Sequence, residues 1–187
     1  QGPSLSQNIS TRANVGTGDD VVIGGFIITG TNPKMVVLRG IGPSLSLSGV
    51  TGLLADPFIE LHDSSGAVIA SNDNWMQLSS TDQTTLSDNN LTPPDETESA
   101  LVETLDPGTY TVILSGVNNT TGVGLVEAYD IDGGTPASKP ANISTRGFVE
   151  TDQNVMNGGF ILGCRGGPFR TVTVSALWHP PGATAVP

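Results

Sequence analysis

The chain has 187 residues, of which 24 are glycine and 13 are proline, while only 13% are charged. This composition favours many short strands joined by tight turns over long surface helices. Eighteen acidic residues against seven Lys and Arg give a net charge of -11. Such a charge argues against nucleic acid as a partner and is compatible with a divalent cation. No stretch approaches the roughly 20 apolar residues of a membrane span, so we expect no membrane insertion.

The first predicted elements are two strands joined by a turn. Residues 8–12 read Asn-Ile-Ser-Thr-Arg and begin a strand with alternating polar residues. An apolar strand follows at residues 21–28 and contains Gly-Gly-Phe-Ile at residues 24–27. Glycine pairs inside a strand indicate a bulge or a close approach of another backbone. Residues 34–39 then predict a third strand.

The middle of the chain predicts two hairpins separated by a long polar loop. Residues 58–62 alternate in hydrophobicity, an Asp-Ser-Ser-Gly turn follows, and residues 67–70 form the returning strand, which indicates the first hairpin. Residues 71–99 read as a loop with one short helix near residues 81–87. Residues 109–115 and 123–129 predict the second hairpin, and residues 130–141 form a connector rich in Gly, Pro and Ser.

The end of the chain repeats its beginning. Asn-Ile-Ser-Thr-Arg recurs at residues 142–146 and Gly-Gly-Phe-Ile at residues 158–161, both 134 residues after the first occurrence and without a gap. Twelve of 22 aligned positions are identical. The sequence therefore contains a second, partial copy of residues 8–45 at about residues 142–178, with a third strand predicted at residues 170–175.

These elements predict an all-β protein, an antiparallel β-sandwich of jelly-roll type with a duplicated strand-hairpin segment at both ends. We divide the chain into three segments. Residues 1–52 are the first copy, packed on the core. Residues 53–134 are the sandwich core. Residues 135–187 are the connector and the second partial copy.

The middle segment resembles a known family. Residues 56–63 read Asp-Pro-Phe-Ile-Glu-Leu-His-Asp and residues 69–74 read Ile-Ala-Ser-Asn-Asp-Asn, followed by Leu-Asp-Pro-Gly-Thr-Tyr-Thr-Val-Ile at residues 105–113. This run, over about residues 53–130, resembles bacterial pre-peptidase C-terminal domains. The resemblance implies a non-catalytic β-sandwich appended to secreted proteins. The flanking duplicated segments look like tandem repeats of large surface proteins of environmental bacteria.

One group of oxygen-bearing side chains is a candidate Ca²⁺ site. These residues lie on loops at predicted strand ends, and carboxylate and amide oxygens suit Ca²⁺. Asx turns are the alternative explanation for the Asn-Asp-Asn run. Asp130 and Asp132 form a second candidate. The members of the first group are Asp56, Asp63, Asn72, Asp73 and Asn74.

The sequence predicts no catalytic residues and no bound organic cofactor. His62, Asp63 and Ser64 are neighbours in sequence, which does not place them together as a triad. Asp95, Glu96 and Glu98 read as a solvated charge cluster rather than a glycosidase pair. Trp75 and Trp178 suggest a cell-surface glycan as a further candidate partner. The role of the single Cys164 is left open.

The duplication gives two alternatives for the function. Either the two copies pair within one sandwich, or one copy completes a neighbouring subunit by strand addition and generates a polymer. The Gln1 terminus and the abundance of Ser, Thr, Asn and Gly favour a secreted, extracellular protein. We expect a self-assembling structural subunit, and alternatively a Ca²⁺- or glycan-binding accessory module. The predicted assembly residues are Asn8, Ile9, Arg12, Phe26, Asn142, Ile143, Arg146 and Phe160.

Overall fold

The computed structural model describes residues 8–132, 138–147, 156–162 and 170–176. Cys164 and Trp178 lie outside the described residues, so the role of Cys164 stays open and the glycan contact suggested for Trp178 stays a prediction. The described residues form one α-helix, α1 at Ser80–Asp88, and eleven strands. The strands are β1 Asn8–Val15, β2 Val22–Gly30, β3 Lys34–Ile41, β4 Pro57–His62, β5 Val68–Asn72, β6 Ser99–Leu105, β7 Gly108–Gly116, β8 Gly122–Asp130, β9 Ser138–Arg146, β10 Met156–Leu162 and β11 Arg170–Ala176.

The strands form two antiparallel sheets. The first sheet has the order β11-β10-β1-β8-β3-β6, and the second has the order β5-β4-β7-β2-β9. Within them, β1-β8-β3-β6 faces β2-β7-β4-β5, the arrangement of an eight-stranded jelly roll. The predicted all-β sandwich is therefore confirmed. Strands from all three predicted segments share these two sheets, with β9, β10 and β11 added at one end of the jelly roll.

The core lies between the sheets and follows from the period-two alternation of the strands. In β4 the inward positions Ile59 and Leu61 are fully buried, and in β7 the inward positions Val112 and Leu114 are buried as the sequence predicts. Phe26 of β2 stacks on Tyr110 of the neighbouring β7, with ring centroids 5.6 Å apart. The main core between the sheets consists of this aromatic pair together with valine, isoleucine, leucine and alanine side chains.

Only one of the predicted hairpins has paired strands. β4 and β5 pair as predicted. The second predicted hairpin is wrong, because β7 pairs with β2 and β4 while β8 pairs with β1 and β3 in the other sheet. The duplicated segments are not hairpins either, because β1 and β2 lie in different sheets, as do β9 and β10.

The chain crosses between the sheets after β7 through a tight arch. Asn118 and Asn119 have positive φ values of 54° and 60°, a region that Asn tolerates better than most residues. A Cβ on Gly116 would lie 2.1 Å from the carbonyl oxygen of Thr120, so only glycine fits there. Alternation along a strand does not distinguish such an arch from a hairpin, and this explains the wrong prediction.

The segment between β5 and β6 returns the chain to the first sheet. The helix α1 forms close to where it is predicted, and the Ser79 side chain caps it by accepting a hydrogen bond from the Asp82 amide. Leu86 of the helix is fully buried against the outer face of the first sheet, with Val37 and Ala100. Among the described residues, no helix is long and apolar enough to cross a membrane.

Candidate functional site: the pairing of the two copies

The two copies of the repeat pair with each other. The first strand of copy one, β1, pairs with the second strand of copy two, β10. In return, the second strand of copy one, β2, pairs with the first strand of copy two, β9. The pairing is therefore reciprocal, with one strand pair in each sheet.

The two strand pairs have the same register. Ile9 lies opposite Phe160, and Ile143, the counterpart of Ile9, lies opposite Phe26, the counterpart of Phe160. The neighbouring pairs Ser10–Gly159 and Ser144–Gly25, Thr11–Gly158 and Thr145–Gly24, and Arg12–Asn157 and Arg146–Ile23 correspond in the same way. Four successive residue pairs thus match under the 134-residue shift, so the copies are related by a local two-fold axis.

The axis passes beside Thr11 and Thr145. These two threonines are equivalent residues of the two copies, and their hydroxyl oxygens lie 2.9 Å apart. Thr11 is only 2% exposed. Equivalent residues meet each other only on a two-fold axis, so this contact is independent support for the symmetry that the register indicates.

The glycine pair allows close contact across the strands, as the sequence predicts. A Cβ on Gly25 would lie 2.5 Å from the Ser144 hydroxyl oxygen. The predicted close approach is therefore confirmed at Gly25. The register shift between β2 and β9 lies between Phe26 and Ile27, and the extra residue is Asn142 of β9, so the bulge predicted at Gly24 and Gly25 is wrong.

The structure places all eight predicted assembly residues on these four strands. Phe26 is buried, and Ile9 is partly buried against the main core. The exposed Arg146 donates a hydrogen bond from Nη2 to the Asp19 carbonyl oxygen over 3.3 Å. Of the remaining residues, Asn8 and Arg12 lie on β1, Asn142 and Ile143 on β9, and Phe160 on β10.

The symmetry is incomplete beyond the four strands. On its edge away from β10, β1 pairs with β8. The corresponding edge of β9 has no strand paired to it among the described residues. On the edge of β2 away from β9 lies β7, and on the corresponding edge of β10 lies β11. The third strand of copy two thus takes the place of β7, whereas the third strand of copy one, β3, lies between β8 and β6.

The candidate Ca²⁺ ligands fall into two groups at opposite ends of the β4–β5 hairpin. Asp63 lies in the turn, where its Oδ1 accepts hydrogen bonds from the amide and hydroxyl of Ser65 and from the Ala67 amide. The hydrogen bonds from Ser65 lower the pKa of Asp63. This is an Asx turn. A strand of six residues separates it from the other four candidates by roughly 20 Å.

At the other end, Asp56 and Asp73 lie close enough to interact. Burial and the nearby Asp73 carboxylate both raise the pKa of Asp56. Oδ1 of Asp56 has no hydrogen-bond partner among the described residues. Asn72 is used structurally, because its Oδ1 accepts from the Ala100 amide and its Nδ2 donates to the Asn74 carbonyl oxygen. The described residues contain no cluster of three or more His, Cys, Asp or Glu side chains that could hold a metal ion.

Sequence reasoning missed a group of buried ionic contacts around β8. Lys34 Nζ donates to Asp130 over 2.8 Å, and both residues are buried. Arg39 Nε donates to Glu127 over 2.9 Å, and Arg39 Nη2 also donates to Tyr129 Oη over 3.0 Å. Burial and the Glu127 carboxylate raise the pKa of Tyr129 to about 12. A signal was present, because these charged residues interrupt or end strands that are otherwise apolar.

A comparison with protein-family models, with curated proteins and with solved structures finds no match.

Proposed function

We propose that this chain is a non-catalytic structural subunit of an extracellular filament or surface layer, and that its subunits join by β-strand addition. The reciprocal, equal-register pairing of the two copies is the observation that carries this proposal. In the following, residues 138–176 are called the donor segment, and the β1 and β2 edges that face β10 and β9 are called the acceptor edges.

The donor segment is attached to the described fold through its pairing with β1 and β2. β9 pairs with β2, β10 pairs with β1, and β11 pairs with β10. The eight strands of the jelly roll, residues 8–130, have their own core between the sheets. Residues 131–137, Ile-Asp-Gly-Gly-Thr-Pro-Ala, link the two parts. Their glycines favour alternative paths of the chain.

Exchange of the donor segment between subunits would preserve every strand pairing described above. A donor segment that binds the acceptor edges of a neighbour forms the same registers as it does within its own chain. Domain swapping of this kind costs little free energy. Because the donor segment and the acceptor edges are different surfaces, the contact is heterologous and leads to a head-to-tail chain of subunits.

The test is the size of the full-length protein as a function of concentration. We expect negative-stain microscopy to reveal filaments or sheets after concentration or refolding at high concentration, because exchange between chains is second order. Only small particles of single-chain size at every concentration would contradict the proposal. A protein with charge -11 resists nonspecific aggregation, so ordered assemblies would be distinguishable from precipitate.

A second candidate function, Ca²⁺ binding, is favoured by the unpartnered Oδ1 of Asp56 and its repulsive neighbour Asp73. Bound Ca²⁺ would relieve this repulsion, and a ligand bound only by the folded state raises the melting temperature. We expect millimolar Ca²⁺ to raise the melting temperature of the wild type and not that of Asp56→Asn. The Asp63→Asn variant is the matched control and should still respond. An unchanged wild-type melting temperature would exclude this site.

A further inference from the structure

We infer that the acceptor edges of two copies of this chain pair directly with each other, β1 of each copy on β2 of the other, about a two-fold axis beside Thr11. This inference rests on the same acceptor edges as the proposed function, but it requires the donor segment to leave them rather than to bind a neighbouring subunit. Within one chain, β9 and β10 of the donor segment then occupy the positions that β1 and β2 of a second molecule would take.

The register supports direct pairing. In the single chain, Ile9 faces Phe160 and Arg12 faces Asn157. Phe160 and Asn157 are the counterparts of Phe26 and Ile23, which lie 134 residues earlier. In direct pairing, Phe26 and Ile23 of the second copy would therefore face Ile9 and Arg12. The identical Asn-Ile-Ser-Thr-Arg and Gly-Gly-Phe-Ile runs supply the same backbone path and the same small glycines at the crossing. An acceptor edge is therefore complementary to itself, as an isologous contact requires.

The side chains at the axis are compatible with the substitution. Thr11 of the second copy would take the place of Thr145, whose hydroxyl already contacts Thr11. Ala13 would take the place of Gly147, and a Cβ there lies 3.2 Å from the Cβ of Ala13. A shift of a few tenths of an ångström accommodates this contact. Val22 would replace the larger Met156, whose sulfur lies beside Gly147, and this creates room for the shift.

The neighbouring positions favour a second copy over the donor segment. In the single chain, β11 pairs with β10 in the position that β7 of a second molecule would take. The outer edge of β9 is the position that β8 of a second molecule would take, and it has no strand paired to it among the described residues. A second jelly roll supplies both β7 and β8. Each joined sheet would then be continuous across the interface between the two molecules, with four strands from each molecule. Such pairing removes the open strand edges at this end of the fold.

The experiment uses the same substitution at the two equivalent positions of the full chain. Thr145→Asp introduces a carboxylate against the buried Thr11, which disfavours binding of the donor segment and leaves the acceptor edges intact. We expect this variant to form a dimer of twice the chain mass in sedimentation equilibrium. Thr11→Asp changes the acceptor edge itself and places two carboxylates together on the two-fold axis, so we expect no such dimer.

A folded Thr145→Asp variant that stays monomeric at all concentrations would overturn the inference, as would equal dimerisation of the two variants. Circular dichroism reports whether each variant retains its strands. The absence of filaments in the wild type would overturn the proposed function only, because the Thr145→Asp dimer does not use the donor segment.

A second measurement covers the case in which either variant fails to fold. Thr11→Cys in a Cys164→Ser background, refolded in a thiol–disulfide buffer, should give a disulfide-linked dimer, because residue 11 would meet its own copy on the axis. Ser10→Cys is the matched control, since Ser10 would face Gly25 of the second copy. We expect at least about tenfold more linked dimer for Thr11→Cys, given the short Cα separation that a disulfide requires. Equal yields would contradict the inference.

Discussion

Replacing Glu98 with alanine is expected to lower the free energy of unfolding by about 4 kcal/mol. The Glu98 side chain is fully buried. Its Oε1 accepts hydrogen bonds from the Gly42 amide over 3.0 Å, the Ser44 amide over 2.9 Å and the Ser44 hydroxyl over 2.6 Å. Its Oε2 accepts a weaker bond of 3.3 Å from the Asp95 amide. Removing the carboxylate leaves these donors without an acceptor, and the Gly42 amide among them is buried.

Urea unfolding of Glu98→Ala measures this loss, and two further variants separate its causes. Glu98→Gln retains one oxygen for the bonds from Gly42 and Ser44 but sets its amide against the Asp95 amide, so we expect an intermediate loss of about 2 kcal/mol. The neighbouring Glu96 is exposed, and Glu96→Ala should change stability by less than about 0.5 kcal/mol. A similar small change in Glu98→Ala would refute the buried carboxylate network.

The second large effect is expected at the Lys34–Asp130 ion pair. Lys34 is 5% exposed and Asp130 is 7% exposed, so neither charge is well solvated. Lys34→Ala would leave the Asp130 carboxylate buried without its partner, and we expect a loss of about 3 to 5 kcal/mol at pH 7. The double variant Lys34→Met/Asp130→Leu removes both charges and should be much closer to the wild type.

The Lys34→Ala loss should depend on pH. Burial already raises the pKa of Asp130, while Lys34 opposes this effect. Without Lys34 the folded-state pKa of Asp130 lies still further above its unfolded value. Such a group favours the folded state fully below the unfolded pKa, and this contribution is lost as the pH rises through the folded pKa. The deficit of the variant should therefore shrink as the pH falls from 7 towards 4. A deficit independent of pH would argue against an unpaired carboxylate.

The strands themselves could be predicted from the sequence. The strands predicted at residues 58–62 and 109–115 correspond to β4 and β7, and the helix α1 was recognised within one residue at each end. Repeats are detectable without any structural knowledge, and the 134-residue offset marked the segments that contain β1, β2, β9 and β10 but left open whether they pair within one chain or between chains. These features depend on local patterns of side chains along the chain.

The partners of the strands could not be predicted, because pairing depends on contacts distant in sequence. The jelly roll sends β7 and β8 to opposite sheets, although the residues between them resemble a hairpin loop. The prediction that Asp95, Glu96 and Glu98 form a solvated charge cluster is wrong for Glu98, which is fully buried. Alternation cannot reveal this, since Pro93, Pro94 and Asp95 nearby are typical of an exposed loop. The resemblance to pre-peptidase C-terminal domains stays a prediction.

The local symmetry explains why the two alternatives for the repeat are so evenly matched. Pairing within one chain and pairing between chains use the same residues in the same register, so the number of strand pairings does not distinguish them. Concentration and the path of residues 131–137 decide the outcome, because only the chain connection differs. The two alternatives therefore differ only in whether the donor segment and the acceptor edges that it binds belong to the same chain.

A disulfide between positions 11 and 145 tests this connectivity most directly. The hydroxyls of Thr11 and Thr145 are in contact, so cysteines at both positions lie near the geometry of a disulfide. We would assemble Thr11→Cys/Thr145→Cys in a Cys164→Ser background at high concentration, oxidise it, and separate the products by non-reducing denaturing electrophoresis. Strand exchange predicts a ladder of covalently linked chains. A single band of internally bridged monomer at every concentration would contradict it.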